Sequence, residues 1–157
     1  MRRVSLSDPQ FVDDPEDPEG FRAGMARFGP GLGAEQTGAS LYELPPGQAL
    51  CPYHYEYGEE EWLLAVQGRP SLRTPEGTER LEPLDLVFFP MGPDGAHKVF
   101  NDTAEPVRVL MWSTVVTPTA TAYPDSGKVG VYTGIPGEDH MSRRADAVDY
   151  YDGEESG

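Results

Sequence analysis

His54, Glu56 and Glu61 stand together in Gly47-Gln-Ala-Leu-Cys-Pro-Tyr-His-Tyr-Glu-Tyr-Gly-Glu-Glu-Glu-Trp-Leu-Leu-Ala-Val-Gln-Gly68. His97 follows in Pro90-Met-Gly-Pro-Asp-Gly-Ala-His-Lys-Val-Phe-Asn101. Two imidazoles and two carboxylates on short extended segments can converge on one divalent transition metal. Imidazole with carboxylate suits iron, manganese, zinc, nickel or copper rather than calcium. Two His and one carboxylate with open positions is a non-haem iron pattern, and two His with one Glu also serves catalytic zinc. The candidate ligands are therefore His54, Glu56, Glu61 and His97. Glu56 has a second reading as the catalytic group, a carboxylate that moves a proton. Glu59 and Glu60 read as a solvated face.

The elements that must position these groups are strands. Side chains alternate along a strand, so His54 and Glu56 point the same way, Glu61 shares a face with Leu63 and Ala65, and His97 shares one with Val99. Glu61–Gln67 is the strongest apolar run, and its Gly- and Pro-rich flanks favour a buried strand over a helix. Further strands are expected at Ala39–Leu44, Ser71–Arg73, Glu79–Leu81, Leu86–Phe89, Lys98–Phe100, Val107–Trp112 and Val129–Tyr132. Tyr123–Lys128 reads as a turn. A final strand or extended clasp is expected at Asp146–Tyr151. Short strands at this spacing predict an all-β sandwich or barrel, with a jelly roll as one way to remove exposed sheet edges.

The chain has 157 residues, enough for one domain, with 18 Gly and 16 Pro that favour turns over long helices. Residues 1–37 are expected to form an N-terminal arm on the barrel or on a partner subunit. Residues 38–116 form the barrel core and 117–157 the C-terminal strands and acidic tail. The net charge of −15 argues against binding nucleic acid or an anionic membrane. Cys51 is the only cysteine, so no intrachain disulfide forms; a small core residue is its simplest role. The absence of a signal-like or membrane-spanning run predicts a soluble, cytoplasmic protein.

The two stretches resemble the motifs of the cupin superfamily, G-x5-H-x-H-x3,4-E-x6-G and G-x5-P-x-G-x2-H-x3-N. Gly47, His54, Glu61 and Gly68 match the first, and Pro90, Gly92, His97 and Asn101 the second. Three departures stand out. Glu56 replaces the second His, one extra residue separates Gly47 from His54, and the second motif has Leu84 for Gly and four residues between Gly92 and His97. Tyr123–Gly130 and Arg143–Tyr150 are also similar to segments of small single-domain bacterial cupins. The resemblance implies a double-stranded β-helix (the jelly-roll cupin barrel), a divalent Fe, Mn, Zn or Ni ion, and a homodimer, often made by exchange of N-terminal strands. For function it implies less, because cupins include dioxygenases, isomerases, lyases and ligand-sensing domains. Two readings follow: a metal-dependent enzyme acting on a small polar metabolite, or a non-catalytic module that binds one.

Other residues have plainer expected roles. Tyr53, Tyr55 and Tyr57 should face away from His54. Trp62, Phe88, Phe89, Phe100 and Trp112 should fill the barrel. Arg73 and Arg108 are anion binders only if they face inward. Asn101 either holds a turn or orients a ligand, and His140 reads as a loop residue.

Overall fold

Strand alternation builds a barrel wall with one apolar face. The computed structural model describes residues 1–155. Its strands are β1 (Gly24–Arg27), β2 (Thr37–Leu44), β3 (Tyr55–Glu56), β4 (Glu61–Gln67), β5 (Ser71–Thr74) and β6 (Gly77–Arg80). They continue with β7 (Leu86–Phe89), β8 (Lys98–Phe100), β9 (Val107–Thr114), β10 (Thr119–Tyr123), β11 (Lys128–Tyr132) and β12 (His140–Arg143). A single helical turn, α1 (Gly29–Leu32), lies between β1 and β2. The fold is an all-β antiparallel jelly roll.

One wall is a five-stranded sheet in the order β1-β2-β9-β4-β7. The other comprises β6-β5-β8 and β12-β11-β10-β3, joined where His54 and His97 form a bridge between the two small sheets. Between the walls Leu44, Leu63, Ala65, Phe89, Val107, Val109 and Met111 of the first pack against Leu72 and Val99 of the second. Leu63 and Val99 are fully buried, each contributing roughly 1.5–3 kcal/mol by leaving water.

The expected strands at Glu61–Gln67, Leu86–Phe89 and Lys98–Phe100 have the predicted bounds, and β2 and β9 each extend two residues further. Several expectations are corrected. Trp62, Phe88 and Trp112 do not fill the barrel. They form a row across the outer face of the large sheet, with Trp62 and Trp112 stacked at 5.9 Å and Phe88 40% exposed. The reason is parity: with Glu61 and Leu63 turned inward, Trp62 must turn outward, and its cross-strand partners Trp112 and Phe88 follow. Phe100, next to the inward Val99, likewise turns away from the core. No strand forms at Asp146–Tyr151, where the chain makes one short helical turn at Arg144–Asp146 and then a turn. Val148, Tyr150 and Tyr151 are exposed there, so no apolar face drives pairing. His140 is not in a loop; it opens β12 opposite Val131.

The N-terminal segment lies against its own barrel. Val12 bridges to Met25, Gln48 accepts hydrogen bonds from the backbone N–H groups of Gly20 and Arg22, and Leu6 and Phe11 pack on the outer cluster of Ala26, Phe28 and Leu41. At the other end Arg144 holds the hydroxyls of Tyr55 and Tyr57, tying the C-terminal segment to β3. Among the described residues no helix is long and apolar enough to cross a membrane.

Candidate metal centre

Three elements from both walls deliver the candidate ligands. Glu61 opens β4 with its side chain inward, opposite Phe89 and Ser113. His54 and His97 exchange both backbone hydrogen bonds, His54 N–H to His97 C=O at 3.0 Å and the reverse at 2.8 Å, so their rings emerge side by side, 4.6 Å apart. One ligand atom from each of His54, Glu61 and His97 lies within 4.8 Å of the others.

Backbone carbonyls fix both tautomers. His97 Nδ1 lies 2.9 Å from Gly95 C=O, and His54 Nδ1 lies 2.9 Å from Pro52 C=O. A carbonyl only accepts, so each Nδ1 carries the proton and each Nε2 presents a lone pair. Those lone pairs face carboxylates: His97 Nε2 is 3.7 Å from Glu61 Oε2, and His54 Nε2 is 3.8 Å from the same oxygen and 3.7 Å from Glu56 Oε1. Such separations are too long for hydrogen bonds. They leave room for an ion between the donor atoms, since metal bonds to nitrogen and oxygen are about 2.0–2.2 Å long. His97 Nε2 is buried and has no hydrogen-bond partner among the described residues. A buried polar atom left unpaired costs about 1–3 kcal/mol, and a cation among these atoms satisfies it. The donor set therefore fits a divalent transition metal.

The loop before His97 is built for this purpose. A side chain on Gly95 would place its Cβ 1.8 Å from Pro90 C=O, so only glycine permits the turn that aims its own carbonyl at His97. Phe89 stacks flat on the His97 ring at 3.7 Å and fixes its plane.

Electrostatics keep the imidazoles neutral. Burial pushes His97 down to about 3, helped by neighbouring His54, and burial also lowers His54. The carboxyls move the other way. Burial raises Glu61 to about 7, with the charges of Glu56 and Glu59 adding to it, and burial raises Glu56 to about 7 as well. Glu56 Oε2 accepts a 2.6 Å hydrogen bond from Thr121 Oγ1 on β10, leaving Oε1 facing the site. Glu56 is thus beside the three-residue cluster and oriented toward it, though it is not in the cluster itself.

The remaining candidates fall outside the centre. Tyr53 and Tyr55 are buried on the far side of the strand, Tyr53 beneath the Arg73 guanidinium. Arg73 forms a two-pronged ion pair with Asp125, and Arg108 pairs with Glu43, so neither belongs to the cluster of His54, Glu61 and His97. Asn101 holds a turn: its amide donates to Leu44 and Glu105 carbonyls, and its oxygen accepts from Thr103. Cys51 is half-buried with Sγ 3.4 Å from His54 Nδ1, on the side away from the lone pair; burial and the nearby Glu61 and Glu56 push its thiol up. Sequence reasoning missed Thr121 and Tyr123, whose ring stacks 6.2 Å from that of His54. The alternation Thr119-Ala-Thr-Ala-Tyr123 is the signal that marks their strand.

Residues 40–113 match a family model described as a cupin domain. No curated protein sequence is significantly similar to the chain. Among solved structures, a candidate sugar phosphate isomerase from Acidithiobacillus ferrooxidans is 25% identical with a TM-score of 0.76, covering 83% of this chain and 81% of its own. A cupin-superfamily sugar phosphate isomerase from Silicibacter pomeroyi is 20% identical with a TM-score of 0.80, over 96% of this chain and 98% of its own. A polyketide cyclase from Streptomyces resistomycificus is 20% identical with a TM-score of 0.62, over 76% and 83% respectively.

Proposed function

Residues 40–113 match the cupin domain, and from that premise we propose that the chain is a metal-dependent isomerase of small sugar phosphates. The observation that carries the proposal is the pairing of two unlike features in one pocket. Two imidazole lone pairs meet Glu61 at 3.7–3.8 Å, too far for a hydrogen bond, and Glu56, a carboxyl raised to about 7, faces the same point. The first feature holds a Lewis acid, and the second is an acid–base group matched to neutral pH. Similarity to the 25% identical candidate isomerase supports the substrate class.

His54, Glu61 and His97 are the residues that hold the ion. When bound, it supplies charge stabilisation to oxygens of the substrate carbonyl and hydroxyl. Glu56 Oε1 removes the proton from the carbon next to the carbonyl and returns it to the former carbonyl carbon. The hydroxyl proton passes between the two oxygens, so the reaction balances without an oxidant or second substrate. Thr121 holds Glu56 by Oε2 and keeps Oε1 aimed inward. Phe89 and the Gly95 carbonyl keep His97 from rotating.

The test is proton exchange. Protein loaded separately with Fe(II), Mn, Zn or Ni is incubated with aldose and ketose phosphates in deuterium oxide and followed by NMR. Deuterium should appear at the carbon next to the carbonyl. Glu56→Gln should keep its metal and lose exchange by roughly a hundredfold or more. Stoichiometric metal with no exchange on any sugar phosphate overturns the isomerase. Saturable binding without exchange then makes the barrel a ligand-binding module, and oxygen-dependent consumption makes it a dioxygenase.

A further inference from the structure

We propose that Arg27, with the Ser40 hydroxyl beside it, anchors the phosphate end of the substrate. This rests on the isomerase reading for the identity of the substrate, but not for the existence of an oxyanion site. A cavity of about 440 Å³ opens at the barrel mouth, and its lining runs from Glu61 of the metal centre past Ser113, Tyr42 and Ser40 to Arg27.

Register explains how Arg27 reaches it. Arg27 lies opposite Ser40, Ser40 opposite Met111, and Met111 opposite Leu63, so all four side chains share the inner face. Glu61 and Ser113 occupy the neighbouring row on that face. From β4 to β1 is three strand spacings, about 14 Å across the sheet, and Glu61 and Arg27 both line the one cavity. Tyr42, one row further along the same inner face from Ser40, also lines the cavity.

Charge gives Arg27 its significance. Arg69, Arg73, Arg80 and Arg108 are each paired with a carboxylate, and Arg144 is held by two tyrosines. Arg27 has no ion pair and no side-chain hydrogen bond among the described residues, in a chain with 27 acidic residues and 12 basic ones. A dianion approaching a protein of net charge −15 is repelled at long range. The Glu61 carboxylate and the neighbouring Glu56, when both are ionised, would offset the charge of a divalent ion, so the centre adds little long-range attraction for a dianion. Glu35 and Glu59 also line the cavity, although the Glu59 carboxylate is engaged by the Val116 N–H. A separate cation is needed, and Arg27 supplies a planar fork suited to phosphate.

The experiment titrates inorganic phosphate, and in parallel acetate, into metal-loaded wild type, Arg27→Met and Arg27→Lys, each checked for metal content and melting temperature. Arg27→Met should keep its metal and lose phosphate affinity by about tenfold to a hundredfold, with Arg27→Lys intermediate. In turnover, its preference for a sugar phosphate over the same free sugar should collapse by a similar factor. Equal phosphate binding by wild type and Arg27→Met, or none by wild type, overturns the assignment. Acetate bound more tightly than phosphate overturns the phosphate and makes the oxyanion a carboxylate. Phosphate binding through Arg27 without proton exchange on any sugar phosphate would sink the isomerase while leaving this site standing.

Discussion

Metal affinity should depend on pH through the carboxyls and not the imidazoles. In the metal-free protein Glu61 and Glu56 are raised to about 7, while His97 is lowered to about 3 and His54 is also lowered. A ligand must be ionised or neutral as the metal requires, so here the protons displaced near neutrality come from carboxyls. A group with a pKa near 7 is protonated about ten to one at pH 6, so ionising Glu61 alone weakens apparent affinity about tenfold between pH 8 and pH 6. If Glu56 must ionise as well, the loss approaches about a hundredfold. Two ordinary imidazoles of pKa about 6.5 would give about a fifteenfold fall, so the source of the proton has to be resolved. The assay is chelator competition from pH 5.5 to 8.5 on wild type and Glu56→Gln, with imidazole NMR of the metal-free protein over the same range. Wild type should fall more steeply than Glu56→Gln if Glu56 is a ligand and equally if it is not. The His97 resonances should not move above pH 5. A His97 titration centred near 6.5 would refute the reasoning, because it would mean the ring is not desolvated in the way the packing of Phe89 and Glu61 requires.

Three further outcomes test the site and its frame. His54→Ala and His97→Ala should each abolish stoichiometric metal measured by mass spectrometry of elements, while leaving the β-sheet circular dichroism in place. Gly95→Ala should lower the melting temperature and weaken metal binding together, since its Cβ displaces the Pro90 carbonyl and the turn that aims Gly95 C=O at His97. Leu84→Gly should raise the melting temperature by about 2–4 °C, a gain of roughly 1 kcal/mol. Leu84 sits at φ 76° after Pro83, in a turn closed by Asp85 N–H donating to Glu82 C=O, where glycine is the unstrained residue. An unchanged or lowered midpoint would show that the turn is not strained by its side chain.

Much of the barrel was legible because its punctuation is strong. Gly68 and Pro70 end β4 and Pro90 ends β7, so those strands read to the residue. The convergence of His54, Glu61 and His97 was legible through alternation and motif spacing. Other parts depended on partners that a linear reading does not supply. β1, Gly-Met-Ala-Arg, begins with a poor strand former and is defined by its pairing with β2, so Arg27 was hidden in what read as an arm. β10 consists mostly of small residues and is defined by β3 and β11, so Thr121 and Tyr123 were passed over although the turn after them was recognised. The aromatic residues show a different failure. Placing Glu61 inward implies that Trp62 faces outward; the hydrophobicity of Trp62, Phe88 and Trp112 points the other way, and parity decides.

His54 and His97 hang from one wall of the sandwich, and Glu61 projects from the other. An ion gripping all three rivets the walls together at the open end, where the packed hydrocarbon gives way to the mouth. At a hundred times its dissociation constant such a rivet adds about 2.7 kcal/mol to folding. Resistance to proteolysis should therefore rise with the concentration of any divalent ion that the three residues hold.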